Sequence, residues 1–383
     1  MVVHKEWRGL YMKRSVFSAS RQQFQKIGAH IIVGYHDFNK IKNLVEKGGV
    51  GGVFISRHNI QGKTFLEVKE ELAELQAIQK KHGRPPLLIA TDHEGGIVSK
   101  LSPLLTPLPS LAKVVNQSKN INERNMAIKD YAKIHASELA SIGVNVNFGP
   151  VVDLKNIQTK VKFDTHSLIS KRAISHDPKV VSEVATIYAN TLEKYGVLAT
   201  LKHFPGLGKI KQDTHFMTGV LETDIEQLMK TDWVPFNNVT KNSHAMMMVG
   251  HVRLSQIDKD NPVSISKTVI QDIIRNKMNY KGLIVTDDFS MGPIYSRPGG
   301  IGKAAVKSLQ AGVDLILISY DPGLYYTAMH ALMEADLLGK LPTKTLKKSA
   351  LRISSATQKI LLAEKNNTAD EAPTKVVTNM NRN

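Results

Sequence analysis

The chain has 383 residues, no cysteine, and 51 Lys and Arg against 34 Asp and Glu, for a formal net charge of +17. Without cysteine there is no disulfide scaffold, no zinc–thiolate site and no cysteine nucleophile. No stretch reaches the roughly 18 consecutive apolar residues of a membrane-spanning helix, so no membrane span is expected.

Residues 1–24 read as a basic extension. Lys5, Glu6, Arg8, Lys13 and Arg14 are not followed by the apolar run of about 7–15 residues that marks a secretory leader, so a cytoplasmic location is expected. A periplasmic or secreted location stays open if the true start lies upstream. Eight short runs rich in Val, Ile and Leu then recur: Ala29–Tyr35, Val50–Ser56, Pro86–Asp92, Val144–Leu154, Val197–Phe204, His244–Val252, Gly282–Asp288 and Val313–Ser319. Near-continuous apolar runs suit parallel strands covered on both faces. Between them, Phe65–Lys81, Glu123–Ile142, Pro178–Tyr195, Ser266–Met278, Ile301–Ala311 and Leu324–Leu338 carry helical spacing. Asp177-Pro178 supplies an N-cap residue before a first-turn proline. Eight strands alternating with helices predict an α/β fold, a single-domain (β/α)8 TIM-type barrel, for which about 250 residues is usual. A doubly wound dinucleotide fold needs a glycine-rich turn after the first strand, and Gly34-Tyr35-His36-Asp37 stands there instead.

Leu346–Leu362 reads as a basic amphipathic helix packed on the barrel's outside, which sets the catalytic domain at 25–362. Residues 363–383 are polar and expected to be disordered. Residues 1–26 hold six basic residues and one acid, and residues 340–383 hold nine and three, so the ends carry +11 of the +17. They read as solvated arms. Attraction to a polyanion is the sharper alternative, but no basic–aromatic stripe supports it, so no nucleic acid is expected.

Active sites of such barrels lie at the C-terminal strand ends, and there the ionisable residues crowd. Strand three ends in Thr91-Asp92-His93-Glu94-Gly95-Gly96 and strand four in Phe148-Gly149-Pro150-Val151-Val152-Asp153. Strand five ends in Lys202-His203-Phe204-Pro205-Gly206, with Asp213-Thr214-His215 in its loop. Strand six ends near His251, and strand seven in Thr286-Asp287-Asp288-Phe289-Ser290-Met291. A single carboxylate at a strand end often just caps the next helix; five strands so equipped do not reduce to that. Asp287 and Asp288 point opposite ways on a strand, so one faces the cavity and the other makes loop contacts.

In order and spacing these segments resemble glycoside hydrolase family 3 over roughly residues 25–362, specifically its single-domain bacterial beta-N-acetylglucosaminidase (beta-hexosaminidase) branch. The resemblance implies Asp287 as nucleophile, His215 oriented by Asp213 as general acid/base on a mobile loop, and Asp92, Arg172, Lys202 and His203 as sugar-hydroxyl binders. It further implies a retaining, exo-acting hydrolase releasing terminal beta-linked N-acetylglucosamine from muropeptides or related oligosaccharides in peptidoglycan turnover and cell wall recycling. A monomer is expected, with no cofactor and no metal. The residue types suit that chemistry: double displacement needs a carboxylate nucleophile and a proton donor that later serves as base. A histidine of reference pKa about 6.5 can serve as that donor, and an Asp two residues away can fix its tautomer. Glu94 is the next candidate donor should His215 only shape the loop.

The chain departs from the family pattern at His93, where glutamine is usual, at Ile97 for arginine, at Leu207 for a second histidine, at Thr214 for serine, and in the basic Lys209-Ile210-Lys211. Competing readings are a beta-glucosidase or beta-xylosidase of the same family, a non-catalytic sugar-binding barrel, and a metal-dependent hydrolase built on His203, His251 and Asp287.

Overall fold

Eight parallel strands close on themselves. They are β1 (Ile31–Gly34), β2 (Gly52–Phe54), β3 (Leu88–Thr91), β4 (Val146–Asn147), β5 (Leu198–Phe204), β6 (Met246–Val249), β7 (Ile284–Thr286) and β8 (Ile316–Ile318), one in each predicted run. Each pairs with its neighbours in chain order, β1 pairs with β8, and a parallel bridge between Val285 and Leu315 completes the ring. The structure, a computed structural model, describes residues 12, 13, 15, 16, 20–156 and 167–370, with side chains to residue 366.

The strands are buried along their whole length because both faces are covered. Inward residues such as Ile32, Leu88, Leu198, Met248, Val285 and Leu317 form one core, and the outward set packs under the helices as a second. The helix Pro178–Lys194 starts as the sequence dictates: the Asp177 carboxylate accepts from the Lys179 N–H at 2.8 Å, and Pro178 takes the first turn. The helix Ile121–Ile142 stops at Gly143, whose φ of 101° few other residues adopt.

The termini differ from expectation. A helix over Arg21–Gly28 buries Phe24 and Ile27, so a boundary at residue 24 would cut a packed element. The last helix runs over Thr343–Asp370, eight residues beyond the expected end. Rather than lying on the outer wall, it sends Ile353 and Ile360 into the core inside the barrel. Its Arg352 pairs at 2.7 Å with Asp314, which also pairs with Arg275 at 2.7 Å. Residues 1–11 of the basic extension and 371–383 of the expected tail lie outside the described residues. No helix among the described residues is long and apolar enough to cross a membrane.

Candidate active site

Four charged side chains meet above β3 and β5. Lys202 Nζ donates to Asp92 Oδ1 at 2.6 Å and lies 2.7 Å from Glu94 Oε1. Arg172, at the end of the single helical turn Ile169–Arg172, grips Glu94 with Nε at 2.9 Å and Nη2 at 2.7 Å, and its Nη1 donates to the Ser167 carbonyl. Burial alone would raise the Glu94 carboxyl; Arg172 and then Lys202 outweigh it and hold the group at about 2. The same carboxylates keep Lys202 and Arg172 above their ordinary values despite burial. Glu94 is therefore an ionised acceptor, which removes it as the alternative proton donor.

Beside them, Asp153 is fully buried and binds three donors. Its Oδ1 accepts from the N–H groups of His203 at 3.1 Å and Leu207 at 2.8 Å, and its Oδ2 meets His203 Nδ1 at 2.8 Å. Nδ1 is thereby engaged by Asp153, and Nε2 is the nitrogen turned away from it.

Asp287 follows β7. Its N–H donates to the Val249 carbonyl at 2.9 Å, and its Oδ1 accepts from the Asp288 N–H at 2.8 Å. Burial would raise its carboxyl, but His203, then His251, the Asp288 N–H and His215 hold it below the usual range. Asp288 faces the other way, as alternation requires. Its carboxylate accepts from Ser290 N and Oγ at 2.9 and 2.6 Å, from Ser319 N and Oγ at 3.1 and 2.6 Å, and from Tyr320 N at 3.0 Å. His251 is spanned between Ser264 Oγ at 2.8 Å and the Asp288 carbonyl at 2.9 Å. With both ring nitrogens engaged it is unavailable as a metal ligand, which weakens the metal-dependent reading.

His215 lies on the long loop after β5. Its Nδ1 is 3.0 Å from Asp213 Oδ1, which also accepts the His215 N–H at 3.1 Å. The loop is tethered upstream by Trp233 Nε1 donating to the Pro205 carbonyl and by Lys209 paired with buried Asp232 at 2.6 Å, so part of its basicity is neutralised. Downstream, Gly219–Leu221 pairs with Val252–Leu254. The departures fall mostly outside the reacting groups. His93 is buried, its N–H bonded to Asn147, and Leu207 is buried; Ile97 is exposed.

The seven residues singled out from the sequence thus converge at one end of the barrel, with Asp287 within the field of His203 and His215 and with Asp92 tied to Arg172 through Lys202 and Glu94. Sequence reasoning gave no part to Asp153, gave His251 a part only in the metal-dependent reading, and gave Glu94 only a fallback part. Asp153 was within reach: an Asp ending one strand stands beside a His ending the next.

The glycosyl hydrolase family 3 N-terminal domain profile matches residues 22–356. The chain is 34% identical over 274 residues to a beta-hexosaminidase of Nitrosomonas eutropha, covering 71% of this chain and 74% of that one. Its fold superposes at a TM-score of 0.80 on a family 3 beta-N-acetylglucosaminidase from a Paenibacillus species, at 27% identity over 93% of this chain; it spans 64% of that protein. A family 3 glycosyl hydrolase of Mycobacterium smegmatis superposes at 0.76 with 28% identity, over 87% of this chain and 96% of the other.

Proposed function

The chain belongs to glycosyl hydrolase family 3, and we propose that it is a retaining, exo-acting hydrolase of terminal beta-linked N-acetylglucosamine, acting on peptidoglycan fragments. The names of its relatives, beta-hexosaminidase and beta-N-acetylglucosaminidase, support the sugar. The observation that carries the mechanism is an ionised Asp287 held among histidines, one of which sits in a His–Asp pair on a loop.

In this reading Asp92, Arg172, Lys202 and His203 bind the sugar hydroxyls and fix the ring over Asp287. The Asp287 carboxylate attacks the anomeric carbon and forms a glycosyl ester, while the bond to the leaving oxygen breaks. His215 supplies the proton to that oxygen. Its Nδ1 is bound to Asp213, so the proton passes through Nε2, and Asp213 stabilises the imidazolium before transfer. The neutral imidazole then takes a proton from water, which opens the ester with a second inversion and returns Asp287 ionised. The stability of the Asp287 anion is what makes it a leaving group in that second step.

Hydrolysis of aryl glycosides with and without the 2-acetamido group, with the first-formed anomer read by NMR, tests this proposal. Turnover confined to the N-acetylglucosaminide with a beta product first is expected. Preference for the plain glucoside or xyloside would move the chain to the competing specificity, and an alpha product would rule out double displacement.

A further inference from the structure

We propose that Gly292 is a positioning residue for the reaction: its N–H clamps the carbonyl of His215, and its lack of a side chain lets the acid/base loop seat against the loop that carries Asp287. The proposal rests on His215 being the proton donor. Gly292 N donates to His215 O at 2.8 Å. A Cβ at position 292 would stand 2.5 Å from the Phe216 carbonyl oxygen and 3.0 Å from its carbonyl carbon and Cα. Those are backbone atoms, so no rotamer change relieves the contact and the loop itself must move.

One side of the clamp is rigid. The segment from Asp287 to Gly292 is pinned by the five donors on the Asp288 carboxylate, by His251 on the Asp288 carbonyl and by Met291 N on that same carbonyl at 3.1 Å. Only four residues, Asp288 to Met291, therefore separate the nucleophile from the group that holds its partner. The other side is the loop, where the Asp213 carbonyl closes a turn by accepting from Phe216 N at 3.2 Å and Met217 N at 3.0 Å. That turn orients the imidazole relative to its own backbone; the Gly292 bond orients the turn relative to Asp287. Misplacing a catalytic group by about 1 Å can cost about 100-fold in rate, so a methyl group that displaces the loop should act on proton transfer while sparing sugar binding.

Gly292→Ala and His215→Ala are compared on an activated aryl N-acetylglucosaminide and on a disaccharide, with N-acetylglucosamine inhibition as a readout of the sugar site. For Gly292→Ala, kcat/KM on the disaccharide should fall at least about 10-fold, the activated substrate should lose under about 3-fold, and azide should accelerate its turnover, with product inhibition unchanged. Equal losses on both substrates, or no loss, overturn the clamp. If His215→Ala itself lacks the leaving-group dependence, the acid/base reading has failed rather than the clamp. Should the variant not fold, amide hydrogen exchange on the full natural chain decides: slowing of the Gly292 N–H by at least about 10-fold over an unstructured amide supports the bond, and unslowed exchange overturns it.

Discussion

Glu94 and Arg172 are joined by two parallel hydrogen bonds, and the same carboxylate faces Lys202. With half-buried Asp92 the cluster sets two carboxylates against two cations, which offsets the cost of burying Glu94, Arg172 and Lys202. Breaking a buried pair by removing one partner typically costs about 3–5 kcal/mol. Glu94→Gln should lose stability of that order, read as a lower urea midpoint, and should raise KM because Lys202 and Arg172 lose their shared anchor. Its losses should be equal on good and poor leaving groups. A leaving-group dependence would return Glu94 to the part of proton donor.

His215→Ala should lose about 10²–10⁴-fold on a disaccharide, where the leaving oxygen needs its proton. With an activated phenol, glycosylation should suffer far less and azide should restore turnover by attacking the intermediate without a base. Asp213→Asn should repeat the pattern more weakly, since the imidazole stays but loses its anionic partner. Steady-state kinetics on paired substrates checks this, and uniform losses without azide rescue contradict it.

His93 and His135 set an acid limit on stability. They lie 4.9 Å apart, ring to ring, and burial holds His93 at about 4 and His135 well below its ordinary value. Unfolded, each binds a proton near 6.5, so between about 4 and 6.5 the unfolded chain holds protons that the folded chain does not. The stability is whole above 6.5 and should fall toward pH 4 by up to about 1.4 kcal/mol per pH unit for each histidine. Glu193 works against this: burial raises it to about 7, so its share of stability is lost as pH rises from 4.5 toward 7. His93→Gln isolates the histidine part. Its urea midpoint should vary less between pH 4.5 and 6.5 than that of the natural chain, and an unchanged slope contradicts the assignment.

Ile360→Ala should destabilise by about 2–5 kcal/mol, because Ile360 is 1% exposed and fills the core inside the barrel. A chain ending after Asp370 should keep its stability and its turnover of a small aryl substrate. Calorimetry of the two chains checks this; a harmless Ile360→Ala would mean that the last helix is an external ornament after all.

The barrel was legible because a buried parallel strand has a signature that survives without tertiary information. Val285 and Leu317 sit in apolar runs with turn residues on either side. The site was legible for a related reason, since strand ends are where this architecture places chemistry: Asp92 and Asp287 directly follow β3 and β7, and Lys202 lies two residues before the end of β5. Contacts between distant segments were not legible. That Glu94 is divided between Arg172, 78 residues away, and Lys202 follows from the closure of the ring. The last helix misled for a specific reason: its apolar stripe is equally compatible with an outer wall and an open barrel end, and only the folded ring shows Ile353 and Ile360 clustered with Leu198, Met246 and Leu283.

Trapping the glycosyl-enzyme tests the central claim most directly. A 2-fluoro-sugar inactivator forms an ester that hydrolyses slowly, and tandem mass spectrometry of the digested protein then locates it. The label should sit on Asp287, the carboxylate that His203, His251 and His215 keep ionised, and should be absent from Asp287→Asn. A label on Asp288, whose carboxylate is filled by Ser290, Ser319 and Tyr320, or on Asp153, which is committed to His203, would contradict the mechanism.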